Sequence, residues 1–230
     1  MMKPAQPSLR SRNNETARNV VLDAAERLLR NSETADFSMR ALAAEAGVGF
    51  ATPFNHFGNK NAIMQALSAR LIARMAARFG EMSFGRGPND NGYDNAIDRV
   101  LVMGRIAAAV LLEQPKVYRM VIGSLGVVST VPSSVRPRSE ALWTLALGEF
   151  TGLAPALKAV AEAILPEQLA FAFRGAVSFW IAGELADVDL AAAVETGALV
   201  LLMGFADPAR RTKLEDQLNT SHRLRGIEPV

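Results

Sequence analysis

Apolar residues recur along this chain at three- and four-residue intervals, and no stretch alternates between apolar and polar in the manner of a half-buried strand. That periodicity commits almost the whole sequence to amphipathic helices, so the predicted fold class is all-α. With 230 residues, half of them hydrophobic, the chain suffices for one large domain or for a small domain joined to a larger one. It has no cysteine and only two histidines, His56 and His222. Disulfide scaffolds, thiolate zinc sites, iron–sulfur clusters, cysteine nucleophiles and multi-histidine metal centres are thereby excluded. No cofactor, no metal site and no catalytic residue is expected. The N-terminus lacks an apolar core of the signal-peptide kind. The most apolar stretches, 106–112 and 197–206, fall well short of the roughly 20 residues that cross a bilayer. The expectation is a cytoplasmic protein without a membrane partner.

The helical pattern divides into short elements and then long ones. Residues 1–15 read as a disordered arm. A first helix is predicted over 16–30, where Val21, Ala25, Leu28 and Leu29 share a face. Ser38 can cap a second, short helix that Gly47 stops, with Leu42 and Ala46 inward. A third covers 50–56, and Asn59 can cap a longer fourth with Ile63, Leu67, Leu71 and Met75 on one stripe. Residues 83–92, rich in Gly, Asn and Pro, read as a loop. Beyond it, helices are predicted over 93–114, 117–123, 138–150, 155–164, 166–186 and 189–205, with a charged one starting at Pro208. Pro166 suits a first helical turn, and Asp187 or Asp189 can cap the helix after it. The domains expected are a head over 16–62 and a body over 63–230.

Residues 38–60, SMRALAAEAGVGFATPFNHFGNK, carry the most specific chemistry. Two short amphipathic helices meet at a tight turn holding Gly47, the sequence mark of a helix-turn-helix. Gly47 supplies a positive φ without steric cost, Ala43 is small where the helices would cross, and Val48 can plug the gap between them. Such a motif presents its second helix to the major groove, where exposed side chains reach base edges and amide N–H groups favour phosphate. Thr52, Asn55 and His56 give that helix a hydrogen-bonding face, and Lys60 begins the next helix, where a cation opposes the helix dipole and a phosphate would offset it. Charge points the same way. Residues 1–80 hold 11 Lys and Arg against 6 Asp and Glu, and the remaining residues 14 against 17. A basic N-terminal third on a mildly acidic remainder suits a nucleic-acid-binding head.

Residues 18–67 resemble the DNA-binding domain of the TetR family of bacterial transcriptional regulators. The likeness rests on Arg18, Val21, Leu22, Ala24, Ala25, Leu28 and Leu29, then Leu42, Ala43, Ala46, Gly47 and Val48, then Thr52, Pro53, Phe54, His56 and Phe57, with Asn59 and Lys60 following. The resemblance implies a three-helix head and a larger helical body that binds a ligand and dimerises. It places Arg40 where a base is often contacted, Phe50 and Asn55 where base-facing residues vary, and Thr52, His56 and Lys60 at phosphate-binding positions. With Ser38 and Phe54 these form the expected DNA-binding set. Phe54 stands where the family usually has tyrosine, so a phosphate-bonding hydroxyl is missing. Pro53 removes an N–H from the first turn, Gly49 stands in place of a better N-cap, and Phe50 can touch a thymine methyl.

In the body, Leu169, Phe173, Val177, Trp180 and Glu184 fall on one stripe, and the helix over 189–205 is apolar nearly all round from Gly197 to Phe205. Part of that burial is expected from a second copy, giving a homodimer interface of Phe173, Val177, Trp180, Glu184, Val194, Leu201 and Phe205. A lipophilic small-molecule effector is expected against Met103, Ile106, Val110, Met120, Trp143, Leu147, Phe150, Phe171 and Arg174, since methionines and aromatics suit an adaptable cavity. The function implied is a repressor that binds a double-stranded DNA operator as a dimer and is released by that effector. The alternative is a helical enzyme or an adaptor whose head does not read DNA. Phosphate-binding glycine loops, nucleophile elbows and the zinc-peptidase helix motif are all missing from the sequence.

Overall fold

A computed structural model describes residues 9–33, 36–82, 95–126 and 133–224. Among them are ten α-helices and no strand. They are α1 (Leu9–Asn31), α2 (Met39–Ala46), α3 (Ala51–Phe57), α4 (Lys60–Glu81), α5 (Ala96–Leu112), α6 (Pro115–Gly123), α7 (Val135–Leu147), α8 (Lys158–Ile181), α9 (Asp187–Met203) and α10 (Pro208–Leu224). The chain divides into two compact units, one of residues up to Ser68 with Lys116–Thr130, the other of Ala69–Pro115 with Val131 onward. The division thus falls six residues beyond the expected end of the head, and α6 belongs to the first unit. Helix α4 runs unbroken from the first unit into the second.

In the first unit α1 packs against α2 and α3. Val21, Leu22, Ala24, Ala25 and Leu29 form its inner face, and they meet Leu42 and Ala43 of α2 and Phe57 of α3 in a closed core. Leu28 is half-buried at the edge of that face. Helix α1 starts at Leu9, seven residues before the predicted start, so 9–15 are helical where an arm was expected. Residues 1–8 of that arm lie outside the described residues. Asn13, Asn14 and Glu15 are exposed, so no apolar periodicity marked this first stretch of helix.

In the second unit α5, α7, α8 and α9 pack on one another, and α10 lies against α9. The inner face is nearly all apolar, with Val100, Met103, Val110 and Leu111 of α5, Trp143 and Leu147 of α7, Leu165, Leu169, Val177 and Trp180 of α8, and Leu190, Val194, Leu199 and Leu202 of α9 all buried. A Cβ on Gly104 would lie 3.1 Å from Val194 Cγ1, so that glycine sets how closely α5 and α9 approach. Asn95 caps α5 by accepting from the amides of Ile97 and Asp98 at 3.0 and 3.1 Å. Arg99 closes the far end of α7, donating to the carbonyls of Ala146 and Leu145 at 3.0 and 2.9 Å, as a cation suits a helix C-terminus. The loop 83–92 lies outside the described residues, as does the beginning of the helix predicted over 93–114.

Three expectations are corrected here. The two helices predicted over 155–164 and 166–186 are one, α8, with Pro166 inside it. An interior proline costs about 3 kcal/mol. Burial of Ala161 and Leu165 before it and of Leu169 and Ala170 after it holds both halves on the same core, which offsets that loss. Neither Asp187 nor Asp189 caps α9, whose N-cap is Ala186. Asp187 instead accepts a 2.7 Å hydrogen bond from the Trp180 indole, which a buried tryptophan requires. Helix α7 stops at Leu147 because Gly148 turns away with φ 56°, and Phe150 follows with φ 59° rather than continuing the helix.

Candidate nucleic-acid interface

The turn between α2 and α3 is built by local rules. Ser38 Oγ accepts from the Ala41 amide at 3.0 Å and starts α2. At the other end Gly47 takes φ 65°, its amide reaches the Ala44 carbonyl at 3.1 Å, and the Val48 amide reaches Ala43 at 3.0 Å. This pair of bonds is the Schellman closure, which needs a left-handed residue at its corner. A Cβ on Gly47 would touch nothing within 4 Å, so the demand there is on backbone conformation and not on space. Helix α3 begins at Ala51 without a side-chain cap, and the Thr52 amide closes the first turn on the Gly49 carbonyl at 2.8 Å. Pro53 and Phe57 turn inward and are buried, which leaves the opposite face of α3 outward.

That outward face holds most of the predicted set. Phe50 is 56% exposed and Phe54 40% exposed, with ring centroids 5.4 Å apart in an edge-on contact. Asn55 is exposed on α3 and Arg40 on α2, and the Arg40 guanidinium stands 5.8 Å from the Phe50 ring centre. Thr52 and His56 are half-buried, so their side chains sit at the margin of the face. Ser38 is exposed, with its hydroxyl serving as the cap of α2.

Lys60 is placed at the first residue of α4, where Asn59 Oδ1 accepts from the Ala62 amide at 2.9 Å as the cap. Its ammonium is engaged by Asp36 at 2.7 Å and lies 5.0 Å above the Phe37 ring. The same contact holds the exposed Asp36 carboxyl below the usual carboxylate range, chiefly through the hydrogen bond from Lys60. Sequence reasoning missed this pairing because Asp36 and Lys60 are 24 residues apart. It also missed what holds α2 and α3 against α1. Arg18 of α1 donates to the His56 carbonyl at 2.7 Å while its guanidinium covers the Phe57 ring at 4.3 Å. Arg27 of α1 bonds both the Glu45 carboxylate, at 2.5 Å, and the Glu45 carbonyl, at 3.1 Å, at the end of α2. The only trace of either in sequence is an arginine on the polar flank of α1.

A family model described as "Bacterial regulatory proteins, tetR family" matches residues 21–67. Over those residues the chain matches the TetR family. Among solved structures, a TetR transcriptional regulator from Rhodococcus sp. RHA1 superposes with a TM-score of 0.63 at 21% identity, over 82% of this chain and 97% of that one. A gamma-butyrolactone receptor described as ArpA-like matches with a TM-score of 0.45 at 14% identity, over 94% of this chain and all of that one. No curated protein matches the chain. The Rhodococcus likeness shows that the second unit, too, has the fold of a TetR regulator body.

In the second unit the expected effector residues part company. Met103, Val110, Trp143 and Leu147 are buried, and Ile106 and Phe150 are half-buried. Trp143 meets Phe173 edge-on at 5.7 Å. Its indole N–H is buried and has no acceptor among the described residues. Arg174 is half-buried, and burial pushes its guanidinium below the ordinary arginine value. Met120 lies on α6, in the first unit. Phe171 is 49% exposed, with the Arg136 guanidinium 5.4 Å over its ring, so it lines the outside of α8.

The expected dimer stripe also changes. Val177, Trp180 and Val194 are buried within a single chain and leave no surface for a second copy. Phe173, Leu201 and Phe205 are half-buried, and Glu184 is exposed in the turn after α8. The large apolar side chains in solvent on these helices are instead Val160, Ile164, Phe171 and Phe179 of α8 and Val188 and Val200 of α9. Among the described residues no helix is long and apolar enough to cross a membrane.

Proposed function

We propose that the chain is a ligand-responsive transcriptional regulator, a repressor acting in the cytoplasm, that binds a duplex DNA operator as a homodimer and is released by a small lipophilic effector. The observation that carries this reading is the outward face of α2 and α3. Arg40, Phe50, Phe54 and Asn55 are exposed there, while Leu42, Pro53 and Phe57 anchor the opposite side in the core. Arg40 is the base reader, able to grip a guanine through two hydrogen bonds. Phe50 and Asn55 face bases beside it. Thr52, His56 and Lys60 hold phosphates and fix the register. Ser38 shapes the start of α2, and Phe54 adds apolar contact in place of a hydroxyl.

Two observations in the second unit support the rest. Phe171, Phe179 and Val200 leave apolar surface on α8 and α9 that a second copy would bury, and this face replaces the inward stripe as the dimer face. The Trp143 indole N–H, buried without an acceptor, costs about 1–3 kcal/mol if it stays so. An effector held among Met103, Val110, Trp143 and Leu147 and offering one oxygen to that N–H would remove the penalty. Helix α4, continuous between the units, is the route by which the effector alters the head. Couplings of this kind run to about 1–3 kcal/mol, or 5- to 150-fold in affinity.

The test is binding of the purified protein to the intergenic DNA upstream of its own gene at two salt concentrations. Retention that exceeds that of random duplex and weakens steeply with salt supports the reading, with a log–log slope near −0.9 per phosphate contacted. Failure to hold either DNA at low salt would sink it.

A further inference from the structure

Phe50 and Phe54 are the unusual part of the head's surface. The first unit's described residues expose three large apolar side chains, and two of them, Phe50 and Phe54, form an edge-on pair four residues apart on the outward face; Val20 of α1 is the third. Neither ring can donate or accept an ordinary hydrogen bond, so neither can hold a phosphate or read a polar base edge. A pair of phenyl rings in mutual contact is already ordered, with few torsions left to freeze, and offers a fixed apolar surface. In the major groove a duplex presents one apolar group to such a surface, the 5-methyl of thymine.

The geometry points to thymine methyl groups as the ligands of the Phe50–Phe54 pair, making these two residues determinants of operator sequence. This rests on the reading that the head binds DNA. The neighbours fit the assignment. Arg40 stands 5.8 Å from the Phe50 ring, so a methyl seated on the pair lies beside a guanidinium positioned for the adjacent base pair. Asn55, next to Phe54 on α3, supplies the hydrogen-bonding group on the other flank. The operator half-site therefore carries one or two thymines at fixed positions, with the pair reading their methyl groups and not their oxygens.

The test uses the full-length protein and a pool of random duplexes. Enriched sequences are resynthesised with deoxyuridine replacing thymidine at one position at a time, which removes a methyl and keeps every hydrogen-bonding group. At one or two positions per half-site the affinity falls about fourfold for each methyl removed. Phe50→Ala and Phe54→Ala bind the thymidine duplex about as weakly as the unaltered protein binds the deoxyuridine duplex, and they lose nothing further on the second. Equal affinity for the two duplexes at every position overturns the methyl reading and leaves DNA binding standing. A pool that shows no enrichment overturns both. Because the deoxyuridine arm alters only the DNA, it decides even if a variant misfolds.

Discussion

Phe50 and Phe54 stand in solvent, one just before and one within a helix of seven residues whose other face is fixed by Pro53 and Phe57. Phe171 and Phe179 stand in solvent on a helix of 24 residues whose other face, through Leu169, Val177 and Trp180, is equally apolar. The first helix has an inside and an outside that composition distinguishes, and its outside is chemically mixed. The second has apolar residues on both sides, one for its own core and one for something else. The lesson is that apolar exposure on a short helix beside Arg40 and Asn55 points to a ligand with polar and apolar parts, such as a base-pair edge. Apolar exposure on long helices points to a like surface, such as a second copy.

The largest effect tests the inside of α8. Trp180→Ala removes a fully buried indole together with its hydrogen bond to Asp187. It should cost about 3–5 kcal/mol of stability, read from urea unfolding followed by circular dichroism. If the loss stays under about 1 kcal/mol, the side chain is not core. The paired change on the outside is Phe179→Arg. It should leave the unfolding midpoint of the dilute monomer almost unchanged and move the protein from dimer to monomer in analytical ultracentrifugation. Losing the second head should weaken operator binding by about 100-fold or more. An unshifted dimer would move the interface off the α8–α9 face. The two changes lie on neighbouring residues, so they separate core from interface with little else altered.

Arg40→Ala brings the same comparison to the head. Its guanidinium is exposed, so folding should not change. Discrimination should relax at a single base pair by about 1–3 kcal/mol, measured by competition between duplexes that differ only there. A uniform weakening across all sequences would instead make Arg40 a phosphate contact.

What could be read in advance follows the same division. The head's turn was legible because its causes are local: Ser38 caps α2, Gly47 closes it in a left-handed conformation, and Asn59 caps α4, each within a few residues of its partner. The outward face of α3 followed from that turn. The body's site was not legible, because periodicity locates an apolar stripe without saying what covers it. The stripe through Val177 and Trp180, expected against a second copy, lies buried in the chain's own core, for nothing in α8 alone distinguishes a core from a partner. Phe171 shares the type of Phe173 and lies two residues away, yet one covers the surface and the other meets Trp143. Pro166 misled for a related reason: its local cost is real, and only the packing on both sides of it outweighs that cost. Contacts between distant residues, Arg18 with His56 and Asp36 with Lys60, left no mark that a periodic pattern carries.

The smallest effect concerns Lys60, the one member of the DNA-binding set whose charge is engaged by a carboxylate in the described structure. Asp36 holds its ammonium at 2.7 Å, and an exposed pair of this kind adds little to stability. For Lys60 to meet a phosphate, that contact must open. Asp36→Asn should therefore leave the melting temperature unchanged and raise DNA affinity by less than about fivefold, with the gain largest at low salt. The pH dependence has a definite sign. Lys60 holds the Asp36 carboxyl below the usual carboxylate range, so the pair is intact at neutral pH and is lost only as pH falls through that depressed value. The affinity advantage of Asp36→Asn should accordingly persist between pH 6 and 8, far above the range in which the Asp36 carboxyl takes up a proton, when measured by fluorescence anisotropy on a labelled duplex. Lys60→Ala should then remove the advantage and reduce the log–log salt slope by about one phosphate. Equal slopes for Lys60→Ala and the unaltered protein would mean that Lys60 serves Asp36 and the Phe37 ring and never reaches the DNA.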